Sequence, residues 1–228
     1  MPSAPIAAVL FDAYGTLFDV YSVGLAAEQL FPGRGEALGL LWRDKQIEYT
    51  RLVTSADDGA HYEPFWVLTR AALRHSCRRL GLALGAAQEA QLMNQYRALS
   101  AFPEDREVLQ VLRARGIATG ILSNGEPEML GVAVRSAGLD GLFDHILSTD
   151  AVRRYKPHPA TYALGPQATG VEPRRTLFVS GNGWDALGAT WFGYRTLWVN
   201  RAGQPYEDIG PPPTRTGNSL RDVLSHLN

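Results

Sequence analysis

The 228 residues include a single cysteine, Cys77, and only three methionines. One thiol cannot close an internal disulfide, so a cystine-stapled secreted scaffold is excluded and a reducing compartment, the cytoplasm, is expected. Five histidines, His61, His75, His145, His158 and His226, are scattered along the chain. None joins cysteine at zinc spacing, so no metal is expected from composition. Charge of one sign is missing too: 22 Lys and Arg face 23 Asp and Glu, a formal net charge of −1. With no global field to draw a polyanion, nucleic acid is not an expected partner. The opening MPSAPIAAVLFDAYG has no basic segment, and its apolar run from Ile6 stops at Asp12. Neither a secretion signal nor a membrane span is read there. What remains is 45% hydrophobic and 20% charged, the balance of a globular chain long enough for one large domain with a modest insertion.

Short apolar runs recur at Ile6 to Phe11, Ile117 to Leu122, Phe143 to Leu147, Thr176 to Ser180 and Arg195 to Val199. Near-continuous apolar runs suit strands covered on both faces, the parallel-sheet pattern of α/β proteins, and the later intervals fit crossover helices. The first interval does not: about a hundred residues stand where a crossover needs a few tens. From Val20 to about Ser100 the pattern is helical, with Leu38, Leu41, Trp42, Ile47, Tyr49 and Leu52 in one stretch and Phe65, Trp66, Leu68, Ala72, Leu73 and Leu80 in another. The reading is a Rossmann-like parallel sheet core, residues 1–19 and 100–228, split around a helical cap subdomain, residues 20–99. The stretch from Asn200 to Asn218, with Pro211, Pro212 and Pro213, reads as an irregular surface loop before a last short helix.

Ligands of open parallel sheets bind outside the carboxyl ends of the strands. The polar residues ending the runs are Asp12; Ser123 with Asn124; Asp150 with Lys156 beyond it; Ser180 with Asn182 and Asp185; and Asn200. Singly each has an ordinary explanation: Asp12 and Ser123 as turn caps, Lys156 and Arg43 as solvated charges, Asp185 as a complement to a helix dipole. Coincidence at the tips of successive strands accounts poorly for the whole set.

The segments FDAYGTLFD at 11–19, WRDKQIEYT at 42–50, ILSNGEPEML at 121–130, YKPHPATY at 155–162 and VSGNGWDALGA at 179–189 together resemble the haloacid dehalogenase superfamily, and within it the L-2-haloacid dehalogenases. The resemblance covers nearly the whole chain and implies the same core with a cap inserted after the first strand. Magnesium phosphatases of the superfamily carry an acid two residues after the nucleophile and an acidic metal ligand four before the last Asp of the fourth motif. Here those positions hold Tyr14 and Gly181. Neither brings a carboxylate to hold magnesium or a carboxylic acid to protonate an alkoxide, whereas a halide leaves without being protonated. No cofactor is expected. A phosphatase of the same fold and a non-catalytic scaffold stand as the alternatives.

The resemblance implies that Asp12 displaces halide in line to form an aspartyl ester, which water then opens, inverting the substrate carbon. Lys156 would favour the charged form of Asp12, and Thr16 would bond to it. Ser123, with Asn124 and main-chain donors, would receive the substrate carboxylate. Asp185, Asn182 and Ser180 would position the water, Asp185 serving either as base or as orienter of Lys156, with Tyr162 bonded to the cluster. Arg43 would receive the halide, assisted by Asn182. Tyr14, Ile47, Phe65 and Trp184 would wall the alkyl end. Three positions depart from relatives, which usually carry Ser, Ala and Gln at Gly181, Gly183 and Asp44. The glycines would loosen the water-positioning loop, and Asp44 would either weaken halide capture or face solvent. The small 2-haloacid and halide are the expected partners, with a homodimer built through the cap implied by resemblance.

Overall fold

The computed structural model describes residues 4–227; the outermost limits of the expected core, 1–3 and 228, lie outside them. β1 (Ala8–Phe11) reads AVLF and is buried throughout, as a strand covered on both faces must be. It pairs in parallel with β2 (Ala118–Ser123) on one side and β4 (Thr176–Ser180) on the other. With β3 (His145–Ser148), β5 (Arg195–Val199) and β6 (Arg215–Gly217), the all-parallel sheet runs β3-β2-β1-β4-β5-β6. Chain order turns back between β1 and β4, which opens a crevice at their carboxyl ends. Val9, Leu10 and Phe11 are 0% exposed; burying each such side chain contributes about 1.5–3 kcal/mol, so the strand carrying the motif's first residues is firmly seated.

β6 corrects the reading of 200–218 as wholly irregular. Its sequence, RTG, has no apolar run because a three-residue edge strand is mostly exposed and needs none. The last helix is a 3₁₀ segment, Leu220–Ser225.

Helices α5 (Asp105–Ala114), α6 (Pro127–Ser136), α7 (Pro159–Thr169) and α8 (Gly183–Phe192) flank the sheet. α7 starts where proline's missing N–H costs nothing, with Nδ1 of His158 accepting from Ala160 N, and stops at Gly170 with φ +67°. Between β1 and α5 lie α1 (Val23–Leu30), α2 (Gly35–Ser55), α3 (Phe65–Arg79) and α4 (Ala86–Arg97). α1 and α2 touch backbone to backbone: a Cβ at Gly35 would lie 2.5 Å from the Gly24 carbonyl oxygen. The chain leaves and re-enters the core side by side, Asp19 N donating to Ser100 O at 3.0 Å and Phe102 N to Leu17 O at 3.3 Å.

α2 buries a face that hydropathy alone misreads. Leu52 is 58% exposed, while Arg43, Gln46 and Thr50 are buried with Leu38 and Trp42. Trp42 Nε1 donates to Thr69 O at 2.8 Å, tying α2 to α3.

Asp105, at the start of α5, is buried, and neither carboxylate oxygen meets a hydrogen-bond donor among the described residues. Burial pushes its carboxyl from an ordinary 3.8 up to about 8, Arg201 opposing and Glu104 adding to the rise. The folded chain therefore keeps a proton that the unfolded chain gives up near pH 4. Stability is fully present below that pH and is lost as pH rises toward about 8. Relative to the parent, Asp105→Asn should gain about 2 kcal/mol or more between pH 4 and pH 8. Denaturant melts across that range check it, and a pH-independent difference would contradict the assignment.

Candidate active site

Asp12 leaves the tip of β1, Ser180 ends β4 and Asn182 and Asp185 follow it, so the crevice at the sheet's turning point brings two distant motifs together. Asp12 Oδ1 accepts from Lys156 Nζ at 3.0 Å; Oδ2 accepts from Thr16 Oγ1 at 2.8 Å and Asn182 Nδ2 at 2.9 Å. Thr16 Oγ1 accepts in turn from Gly181 N at 2.8 Å, locking the two loops. Lys156, 1% exposed, also donates to Asp185 Oδ2 at 3.0 Å. Burial by itself would lower its pKa, but the Asp12 and Asp185 charges outweigh burial and hold the ammonium above its ordinary value.

Asp185 is fully buried and its acceptors are occupied. Oδ1 takes Tyr162 Oη at 2.7 Å, while Oδ2 takes Ser180 Oγ at 2.9 Å in addition to Lys156. Ser180 Oγ accepts from Asn182 N at 3.1 Å. What surrounds Asp12 is thus an ammonium, a hydroxyl and an amide donor, with the neighbouring Asp185 carboxylate engaged by three donors of its own. Such a set does not suit magnesium, which seeks anionic oxygens. Among the described residues no cluster of three or more His, Cys, Asp or Glu is arranged to hold a metal ion.

A narrow cleft opens over Asp12, lined by Tyr14, Arg43, Ile47, Thr50, Phe65, Ser123, Asn124 and Trp184. The residues expected to meet the substrate carboxylate and alkyl end are there with Arg43, while Asn182 borders the wider groove beside it. Tyr14 forms the aromatic wall, its ring centroid 5.5 Å from Phe65 and 5.6 Å from Tyr96. Burial raises the Tyr14 phenol well above its ordinary value, so it stays neutral. Arg43 reaches down from α2, Nη2 donating to Tyr14 O at 3.0 Å and to Asn182 Oδ1 at 3.3 Å. Asn182 therefore bridges the carboxylate and the guanidinium. Arg43 Nε is buried without a partner among the described residues. Ser123 Oγ accepts from Gly125 N at 3.1 Å, which makes the local turn and leaves its own proton for the cleft. Asn124 Oδ1 accepts from Lys156 N at 3.0 Å.

Other tip residues lie elsewhere. Asp150 takes Tyr62 Oη at 2.6 Å, a bond from core to cap, and Asn200 borders a wider groove between the β5 end and α2. Thr50 and Gln46 escaped the sequence reading, although with Arg43 and Ile47 they recur every three or four residues on one helix face. Glu126 escaped it as well: its Oε2 accepts from Trp66 N at 2.7 Å, pinning the start of α3, and with it Phe65, to the core. Gly181 does not loosen its loop. A Cβ there would collide with the Gly15 carbonyl oxygen, so the absence of a side chain draws the two loops together. At Gly183 a Cβ would meet nothing closer than 3.6 Å. Asp44 is exposed on the rim of the wider groove and makes no ion pair with Arg43.

A family described as haloacid dehalogenase-like hydrolase matches residues 6–193. The (S)-2-haloacid dehalogenase of Pseudomonas sp. (strain YL) is 44% identical over 96% of this chain and 93% of its own length. A crystal structure of an L-2-haloacid dehalogenase superposes with TM-score 0.96 at 58% identity, covering 98% of this chain and 99% of that one. The L-2-haloacid dehalogenase from Xanthobacter autotrophicus, solved with chloropropionic acid covalently bound, superposes with TM-score 0.88 at 37% identity over 96% of each chain. With its sheet order, inserted helices and motif residues in agreement, this chain belongs to the haloacid dehalogenase-like hydrolases and, within them, to the L-2-haloacid dehalogenase family.

Proposed function

We propose that the chain hydrolyses short-chain L-2-haloalkanoic acids to 2-hydroxy acids with inversion, through an ester on Asp12 and without a metal. The observation that carries this is Asp12, held by three donors at the floor of a cleft into which a buried guanidinium also reaches. One Asp12 oxygen attacks the carbon bearing the halogen, the carbon–halogen bond breaks, and halide leaves as the anion toward Arg43. Water then adds to the Asp12 side-chain carbonyl, the ester bond breaks, and the carboxylate returns with release of the hydroxy acid and a proton. Donors already on Asp12 stabilise the oxyanion formed in this step. That a similar protein was solved with chloropropionic acid covalently bound supports the ester.

Ser123 and Asn124 take the substrate carboxylate, which turns the halogen toward Arg43 and Asn182, while Tyr14, Ile47, Phe65 and Trp184 confine the alkyl group. Because both its oxygens already accept from fixed donors, Asp185 serves as the orienter of Lys156 rather than as the base, with Tyr162 and Ser180 steadying it. Residues 20–99 act as a cap and 1–19 with 100–228 as the core, a division supported by the paired crossings at 17–19 and 100–102. A homodimer built through the cap is supported by exposed Tyr21, Leu25 and Leu40 beside and on its first two helices. The lone, buried Cys77 agrees with a cytoplasmic setting, and among the described residues no helix is long and apolar enough to cross a membrane.

Chloride release from L-2-chloropropionate should persist undiminished in excess chelator. Loss of turnover on chelation, restored by magnesium, would favour a phosphatase-like metal site instead. Light scattering on the same sample should give twice the 25.0 kDa chain mass.

A further inference from the structure

We infer that Gln46 is the positioning residue that aims the Arg43 guanidinium and so sets how well a departing halide is received. The inference rests on the dehalogenase reading above. Gln46 lies on α2, one turn beyond Arg43, and is 0% exposed, although glutamine on a helix ordinarily faces water. Its Oε1 accepts from Arg43 Nη1 at 2.7 Å and from Tyr96 Oη at 2.9 Å. Its Nε2 donates to Thr69 Oγ1 at 2.6 Å, and Thr69 donates to Phe65 O at 2.7 Å.

These bonds allow one orientation of the amide. A guanidinium only donates, so it must meet Oε1; Thr69 has committed its proton to the helix carbonyl, so it must accept from Nε2. Arg43 is thereby held at both terminal nitrogens, Nη1 by Gln46 and Nη2 by Tyr14 O and Asn182 Oδ1, while Nε is left buried and unpartnered. Without Gln46 the head of a long side chain would pivot about its Nη2 contacts, and donors aimed at a developing anion lose effect when displaced. A neutral amide performs this clamping without cancelling the cation's charge. Through Thr69 the same relay reaches the Phe65 backbone, so halide seat and substrate wall move as one piece of the cap.

Gln46→Met removes the clamp, Gln46→Glu keeps the shape but pairs the guanidinium with a carboxylate, and Thr69→Val withdraws support from the far side with little change in shape. Single-turnover halide release from L-2-chloro- and L-2-bromopropionate isolates the displacement step. Chloride release should fall about ten- to a hundredfold in the Gln46 variants, with bromide, the better leaving group, affected less. Inhibition by free bromide should weaken, most in Gln46→Glu, and Thr69→Val should show the same pattern at smaller size even where a Gln46 variant does not fold. Equal slowing of both halides with bromide inhibition unchanged would reduce Gln46 to a packing residue and overturn the inference. Absence of halide release from the unaltered enzyme would instead bring down the dehalogenase reading, and this inference with it.

Discussion

Asp12→Asn is expected to reduce halide release from L-2-chloropropionate by about 10⁴-fold or more, as loss of a nucleophile does elsewhere. The amide is nearly isosteric, and Thr16 and Asn182 remain beside it, so the melting temperature should change far less than the rate. A carboxylate is needed because the displacement forms an ester bond from a negatively charged oxygen, and an amide offers none. The unaltered enzyme supplies the complementary test. In a single turnover in ¹⁸O-water, with enzyme in excess, the hydroxyl oxygen of the product should carry the ordinary isotope from Asp12. Solvent label in that first product would mean that water attacks the substrate directly, and the ester mechanism would fall.

Lys156→Met should be nearly as damaging to catalysis, by about 10³-fold or more, and more damaging to the fold. The ammonium lies between Asp12 and Asp185 at 3.0 Å from each, and removing one partner of a buried ion pair leaves charge uncompensated, a loss of about 3–5 kcal/mol. The sign of its pH dependence follows from the raised Lys156 pKa: the contribution of the ammonium is complete at neutral pH and fades only as alkali removes its proton. In the variant the buried Asp185, whose carboxyl burial already raises and only Lys156 among the nearby charges holds down, loses its counter-charge, and acid relieves it by protonation, so the stability deficit against the parent should shrink as pH falls. Denaturant melts at several pH values read this directly. A deficit that is constant with pH would show that lost packing, not charge, is responsible. Arginine should not rescue, since its broad planar head cannot occupy a fully buried ammonium's place.

Some of the site is local in the chain and was therefore legible. FDAYGTLFD carries an apolar strand, the carboxylate and the threonine that bonds it within a few residues, so strand and nucleophile are read together. On α2 the reading failed in a telling way. Leu52 belongs to the apolar helical pattern and Gln46 does not, yet Leu52 is exposed and Gln46 is fully buried. Hydropathy identifies a buried face by its apolar residues, and here that face also carries Arg43, Gln46 and Thr50, whose polar atoms, Arg43 Nε excepted, are satisfied across the cap–core junction and within the cap. The same limit hid β6, an edge strand with no apolar signature.

Apolar periodicity by itself determined the parallel core with its helical insertion, while the reaction class, with Tyr14 in place of a second acid, and nearly all the residues that line the cleft followed from the resemblance to a known family that five motif segments carry. Which residues bond across the gap was decided only by tertiary structure. Asn182 joining Asp12 to Arg43, Gly181 packed against the Gly15 carbonyl, Asp185 held by three donors and Gln46 clamping the guanidinium all depend on contacts between segments distant in the chain or on neighbours hidden in a dry interior. Hydrogen-bond partnership is a matter of distance and direction, and a linear sequence encodes neither until the backbone closes on itself.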